Sequence, residues 1–242
     1  MVRRFIVALL FAPAAVHAAV GDIRLDRANI DSGDVLSIQR GAKAFVNYCL
    51  NCHSATAMRY NRLLDLGLTE QQIKDNLLFT GEKVGDLMDI AASQKDQREW
   101  FGVAPPDLSV IARARGVDWL YTYMRSFYRD AVSVTGWNNL AFPNVGMPHV
   151  LWQLQGAQVL KSVIDDRGGH KVEHKKLVLE SPGTLSPPEY DKLARDLVNY
   201  LSYMGEPVQT RRVQIGIVVL FFLSLLLVLS WLLKTEYWKD VH

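Results

Sequence analysis

The chain has 242 residues, with 27 Lys and Arg against 25 Asp and Glu, a formal charge of +2 and a hydrophobic fraction of 49%. That balance gives no electrostatic footprint for a nucleic-acid partner. There are only two cysteines, and with both committed to the motif described below no structural disulfide is available, so stability has to come from packing.

The N-terminus has a basic start at Arg3 and Arg4, an apolar stretch over residues 5–16 and a small-residue exit at Val16-His17-Ala18. This is the layout of a secretory signal peptide over residues 1–18, with cleavage after Ala18 or Ala19. The alternative is an uncleaved anchor. Pro13 and the short apolar run argue against it, because a spanning helix needs about 20 residues.

Residues 34–48 place Val35, Ile38, Ala42, Phe45 and Val46 at helical spacing and run directly into Cys49-Leu50-Asn51-Cys52-His53. Two thiols three positions apart with a histidine immediately behind is the pattern of covalent c-type haem attachment. Two cysteines on one helical turn can each reach one porphyrin vinyl group, and the following histidine is turned toward the iron as a proximal ligand. A thioredoxin-like dithiol and half a zinc site are the competing readings. A redox pair usually follows a strand, and zinc wants two further ligands nearby; neither context is evident.

Thr69-Glu70-Gln71-Gln72 reads as a capping box opening a helix toward Phe79. Residues 86–90 read as a short helix carrying Met88, and residues 118–129 as an aromatic helix with Trp119, Tyr123 and Phe127 at four-residue steps. Residues 158–164 and 171–179 flank Asp165-Asp166-Arg167-Gly168-Gly169 and predict a hairpin. His170 and His174 on it are read as part of a solvated face, since no thiol or carboxylate stands at ligand spacing. Ser186-Pro187-Pro188-Glu189 supplies N-cap, N1 proline and N3 acid for a helix to about Met204, which Gly205-Glu206-Pro207 ends.

Residues 213–233 carry no charge. At about 1.5 Å per residue they span roughly 30 Å, the thickness of a bilayer's hydrocarbon core. Trp231, Tyr237 and Trp238 near one end fit an interfacial position. Arg211 and Arg212 before the run are matched by Lys234 and Lys239 after it, so local charge leaves orientation tied; an exported N-terminus breaks the tie. About 190 residues lie between the hydrophobic ends, enough for one sizeable domain.

The second axial ligand decides whether the iron stays open to small molecules or serves electron transfer alone. Of six methionines, Met1 falls in the leader, Met58 is too near His53, Met124 reads as core and Met204 sits just before the membrane. Met147 is favoured, because Phe142-Pro143-Asn144-Val145-Gly146-Met147-Pro148 is a rigid non-helical loop that can fix a thioether. Met88 is the next candidate and His149 the third.

An ordered set of motifs then resembles the cytochrome c1 family, specifically its bacterial members. It comprises Arg40-Gly41 with Phe45 ahead of the Cys-x-x-Cys-His motif, Pro105-Pro106-Asp107-Leu108-Ser109 followed by Arg113-Ala114-Arg115, and Phe142-Pro143 with Gly146-Met147-Pro148. Ser186-Pro187-Pro188-Glu189-Tyr190, Tyr203-Met204-Gly205-Glu206-Pro207 and the single C-terminal anchor complete it. The resemblance implies a mainly α, cytochrome c-like haem domain with a small β-hairpin insertion and one C-terminal transmembrane helix. It implies one covalent haem c, with Cys49 and Cys52 as thioethers, His53 and Met147 as axial ligands, Pro105 and Pro106 along the haem edge, and Arg115 paired with a propionate. The implied partners are a cytochrome b subunit, a Rieske iron–sulfur subunit and a c-type cytochrome acceptor, in a dimeric quinol:cytochrome c reductase in which this subunit relays electrons without being catalytic alone. The expected organisation is a signal peptide at 1–18, a periplasmic haem domain at 19–210, a bacterial inner-membrane anchor at 211–234 in contact with lipid, and a cytoplasmic tail at 235–242. A membrane-anchored or oxidase-associated cytochrome and a haem enzyme or gas sensor are the rival readings.

Overall fold

A computed structural model describes residues 23–167 and 170–240. The predicted signal peptide at 1–18 lies outside the described residues.

Helix α1, Val35–Tyr48, starts where the Asp34 carboxylate accepts the Ser37 N–H at 2.9 Å, and it buries Ile38, Ala42, Phe45 and Val46. These positions share one face of a 3.6-residue period, so the sequence pattern becomes the packing surface. A short strand β1, Ala55–Arg59, leads into a 3₁₀ helix, Tyr60–Leu66. Helix α2, Glu70–Asn76, carries the predicted capping box between Thr69 and Gln72 but ends before Phe79, where Leu77 and Leu78 both donate to the Ile73 carbonyl.

Met88 is not helical. It belongs to strand β2, Leu87–Met88, antiparallel to β1 with Ala55 opposite Met88. The Asp86 carboxylate accepts the Glu82 and Lys83 N–H groups at 2.9 and 3.0 Å, closing a turn that delivers the chain in extended form. Helix α3 is Gln94–Phe101, α4 is Ile111–Arg115 and α5 is Val117–Arg125. The helix predicted to continue to residue 129 stops at Arg125. Beyond it Phe127–Arg129 forms strand β3 against strand β4, Trp137–Asn139, and Ser126 Oγ donates to Asn139 Oδ1 at 3.0 Å. Non-local strand pairing, with Phe127 opposite Asn139 and Arg129 opposite Trp137, overrides the local helical period there.

After the short helix α6, Trp152–Gln155, the hairpin of β5, Gly156–Arg167, and β6, His170–Pro182, is longer than its sequence signal. The side chains of His170 and His174, read from sequence as a solvated face, lie outside the described residues. Helix α7, Pro187–Gly205, opens as predicted, with the Glu189 carboxylate accepting the Ser186 N–H at 2.9 Å. Helix α8, Gln209–Tyr237, contains the uncharged run, and Arg211–Tyr237 is long and apolar enough to cross a membrane with none of its apolar face buried.

The core forms where α1 packs on α7. Gly41 makes this possible: a Cβ there would overlap the Asp196 carbonyl and the Tyr200 Cβ. Asp196 is itself buried, and it accepts from Ser37 Oγ at 2.6 Å and from Arg40 Nε at 2.5 Å. Those charge-assisted bonds satisfy a carboxylate that would otherwise be costly to bury. Phe45 and Tyr200 continue the seam, with ring centroids 5.4 Å apart.

Candidate haem site

The attachment motif is the unwound end of α1. Cys49 donates its N–H to the Phe45 carbonyl at 2.8 Å, and Cys52 and His53 donate theirs to the Cys49 carbonyl at 3.1 and 2.9 Å. One turn therefore carries both thiols and the imidazole. Helix α3 braces it from 45 residues away, where the buried Gln97 donates Nε2–H to the Cys52 carbonyl at 3.0 Å.

The Pro105-Pro106-Asp107-Leu108-Ser109 segment is tied to the chain just after the motif. Leu108 N–H reaches the Ser54 carbonyl at 2.8 Å, and Asp107 Oδ2 accepts the Thr56 N–H at 2.8 Å and its hydroxyl at 2.9 Å. Burial works to raise the Asp107 pKa, but the hydrogen bonds from Ser109 and Thr56 prevail and hold it below the usual carboxylate range. This lacing puts the Pro106 carbonyl 2.8 Å from His53 Nδ1. A carbonyl only accepts, so Nδ1 carries the proton and Nε2 keeps the lone pair, the tautomer a metal ligand requires. Desolvation lowers the His53 pKa, against the opposing pull of that hydrogen bond and of Asp107.

A cavity of about 540 Å³ gathers these groups. Cys49, Cys52, His53, Arg115 and Met147 all stand on its walls, with Pro105 and Pro106 among the lining residues. The remaining wall is mostly apolar and aromatic, including Trp100, Phe101, Trp119 and Phe142. Arg115 ends α4 with its guanidinium 5.1 Å from the Trp119 ring centre and 5.8 Å from that of Phe142. A fixed cation beside an apolar cavity suits a ligand whose body is hydrophobic and whose edge is anionic.

The structure separates the methionines. Met147 borders the cavity, and its Sδ accepts the Tyr123 hydroxyl at 3.3 Å. Met88, the second candidate, is sealed in the core with its Sδ 3.2 Å from the Tyr200 hydroxyl. His149, the third, lies on a smaller adjoining cavity of about 380 Å³. Its ring stacks on Phe127 at 4.7 Å and meets Trp137 edge-on at 5.1 Å. Burial pushes it down to about 4, so it packs as a neutral aromatic ring. Met124, read from sequence as core, is buried on α5 and also borders the larger cavity.

Sequence reasoning missed Gln97 and the Tyr123 hydroxyl. Gln97 carried no signal, being one polar residue on a polar helix, and Tyr123 was visible only as one step of an aromatic stripe.

Two thiols and an imidazole on one turn, a thioether on the same cavity, apolar walls and a rim guanidinium fit a covalently held haem. Among the described residues no group of three His, Cys, Asp or Glu side chains is arranged to hold a metal ion. The class these features define is a c-type cytochrome domain with a candidate membrane helix at its C-terminal end.

Comparison with known proteins narrows this class. The model of the Cytochrome C1 family matches residues 27–159 and 175–241. The chain is 51% identical over 245 residues to a cytochrome c1 of Allochromatium vinosum, covering 99% of this chain and 100% of that one. It is 50% identical over 242 residues to a Nitrosomonas europaea protein named ammonia monooxygenase gamma subunit, covering 100% of this chain and 99% of that one. A cytochrome c1 of Rhodospirillum rubrum is 27% identical over 86% of this chain and 83% of its own length. The chain belongs to the Cytochrome C1 family.

Proposed function

We propose that this chain is the haem-bearing electron-transfer subunit of a quinol:cytochrome c reductase, relaying electrons from a Rieske iron–sulfur subunit to a c-type cytochrome beside a cytochrome b subunit. The observation that carries the reading is the convergence of Cys49, Cys52, His53 and Met147 on one apolar cavity, in a chain whose family is cytochrome c1. A single haem c bound there supplies one-electron transfer between ferric and ferrous iron. Cys49 and Cys52 hold it covalently, which prevents its loss outside the cytoplasm. His53, its tautomer set by the Pro106 carbonyl, and Met147 would be the two side chains that ligate its iron. With both ligands supplied by side chains, the group would serve electron transfer and would not be open to a substrate. Pro105 and Pro106 would line the haem edge, and Arg115 would pair with a propionate.

Residues 1–18 act as the export signal, residues 19–210 form the periplasmic haem domain, residues 211–234 anchor it in the bacterial inner membrane and residues 235–242 are a cytoplasmic tail. The parent complex is a dimer. The Nitrosomonas relative, half identical to this chain along its whole length, favours a second reading as a subunit of an ammonia-oxidising membrane complex.

Isolation of the intact complex in mild detergent, followed by anaerobic addition of quinol, separates the two. Co-purification with a b-type cytochrome and rapid, inhibitor-sensitive reduction of the c-haem in the absence of ammonia are expected. A c-haem that stays oxidised with quinol, in a preparation without b-type cytochrome, overturns the first reading.

A further inference from the structure

Axial ligation does not account for the hydroxyl of Tyr123. It donates to Met147 Sδ at 3.3 Å and makes no other hydrogen bond among the described residues. A thioether sulfur is a weak acceptor, and the same contact occurs in the core between Tyr200 and Met88; what sets the Tyr123 pair apart is that both of its residues border the cavity. The side chain has little freedom to go elsewhere. It is 8% exposed, its ring stacks on Trp119 at 5.0 Å with 14° between planes, and Phe127 meets it edge-on at 5.0 Å.

The same stack holds the loop that carries the thioether. Trp119 meets Phe142 edge-on at 6.4 Å, and the Arg115 guanidinium lies over both rings. Phe142 and Met147 are on one non-helical loop, so α5 fixes both the donor and the acceptor of the hydrogen bond. The sulfur has two lone pairs. As an iron ligand it would give one to the metal and leave the other for Tyr123.

We propose that Tyr123 is a positioning residue that polarises the Met147 thioether, weakening its donation to ferric iron and thereby raising the reduction potential of the site. This rests on the axial reading of Met147 given above. Thioether ligation already favours the reduced form, and the ferric site, with one more positive charge, is the more sensitive to density drawn away from its ligand. A hydrogen bond that withdraws density from sulfur therefore costs the oxidised form more.

The test is a redox titration of the membrane-isolated complex carrying Tyr123→Phe. Even if the whole net contribution of an ordinary hydrogen bond differed between the two oxidation states, the oxidised-to-reduced ratio at fixed ambient potential would rise about fivefold, so a rise up to that size is expected. At 59 mV per tenfold for one electron that is a midpoint lower by up to about 40 mV. The weak sulfur-to-iron absorption at the red edge of the oxidised spectrum should persist. In a Met147→Leu background the same substitution should move the potential no further.

An unmoved midpoint with the absorption intact overturns the proposal, as does an equal shift in both backgrounds. Loss of the absorption in Tyr123→Phe overturns it too, since the hydroxyl would then be needed for ligation itself. Persistence of the absorption in Met147→Leu alone instead removes the axial reading, so the two failures are distinguishable.

Discussion

Met88 and Met147 are the same side chain with the same kind of neighbour, a tyrosine hydroxyl at 3.2 Å in one case and 3.3 Å in the other. Everything around them differs. Met88 is fully buried on a two-residue strand, and its partner Tyr200 is a fully buried residue of α7, in the seam with α1. Met147 sits on an irregular loop at the wall of a cavity. The contrast teaches that neither a methionine nor a methionine–tyrosine pair marks a ligand. What separates the two is that Met147 borders space the rest of the fold leaves open, beside two thiols and an imidazole.

The comparison breaks most sharply at Met88. Met88→Ala removes a buried side chain that its neighbours cannot replace, and it should cost about 2–5 kcal/mol of stability. Denaturant unfolding of the haem-loaded protein measures this, and the sulfur-to-iron absorption of the surviving folded fraction should be unchanged. Met147→Leu should do the reverse. The swap nearly conserves volume and is expected to cost less than about 1.5 kcal/mol in packing, while abolishing that absorption. Both variants losing the absorption, or both keeping it, would erase the distinction between the two sites.

Gly41→Ala comes next. The added methyl meets backbone of α7, which cannot swing aside as a flexible side-chain tip can. Overpacking of this kind is expected to cost about 1–3 kcal/mol. The strain falls on the α1–α7 seam and, through the end of α1, reaches Cys49. Thermal melts should show the loss, and a methyl accommodated with no change in melting temperature would mean that the seam is looser than its contacts imply.

How much of this was legible in the sequence follows from the range of the forces involved. The starts of α1, α2 and α7 were readable because a cap or capping box and an apolar period act within a few residues, and α8 was readable from its apolar run alone. The Cys-x-x-Cys-His motif was readable because one helical turn sets its spacing. Met88 and the stretch after Arg125 were misread as helix, since strand pairing with Ala55 and with β4 decides them and no local pattern records such partners. Cavity membership was least legible. Met147 stood out by its loop, but the Tyr123 hydroxyl, 24 residues away, and Gln97, 45 residues from its acceptor, became functional candidates only once the chain had closed.

The smallest expected effect sharpens the comparison most. Tyr200→Phe removes the hydroxyl that faces Met88 Sδ and leaves the ring in place against Phe45. The hydroxyl is buried and burial raises its pKa, so it is a neutral donor throughout the physiological range and its loss changes no charge. Because sulfur is a weak acceptor, and because the variant no longer has a hydroxyl to desolvate, the net loss should be about 1 kcal/mol or less. The midpoint potential should move less than in Tyr123→Phe, since Met88 is placed away from the cavity that would hold the iron. A Tyr200→Phe variant whose potential falls as far as that of Tyr123→Phe would show that the tyrosine hydroxyls act through the general polarity of the interior. The opposite pattern, stability touched at Tyr200 and potential touched at Tyr123, is what two chemically identical pairs should give when only one of them borders the cavity proposed to hold the iron.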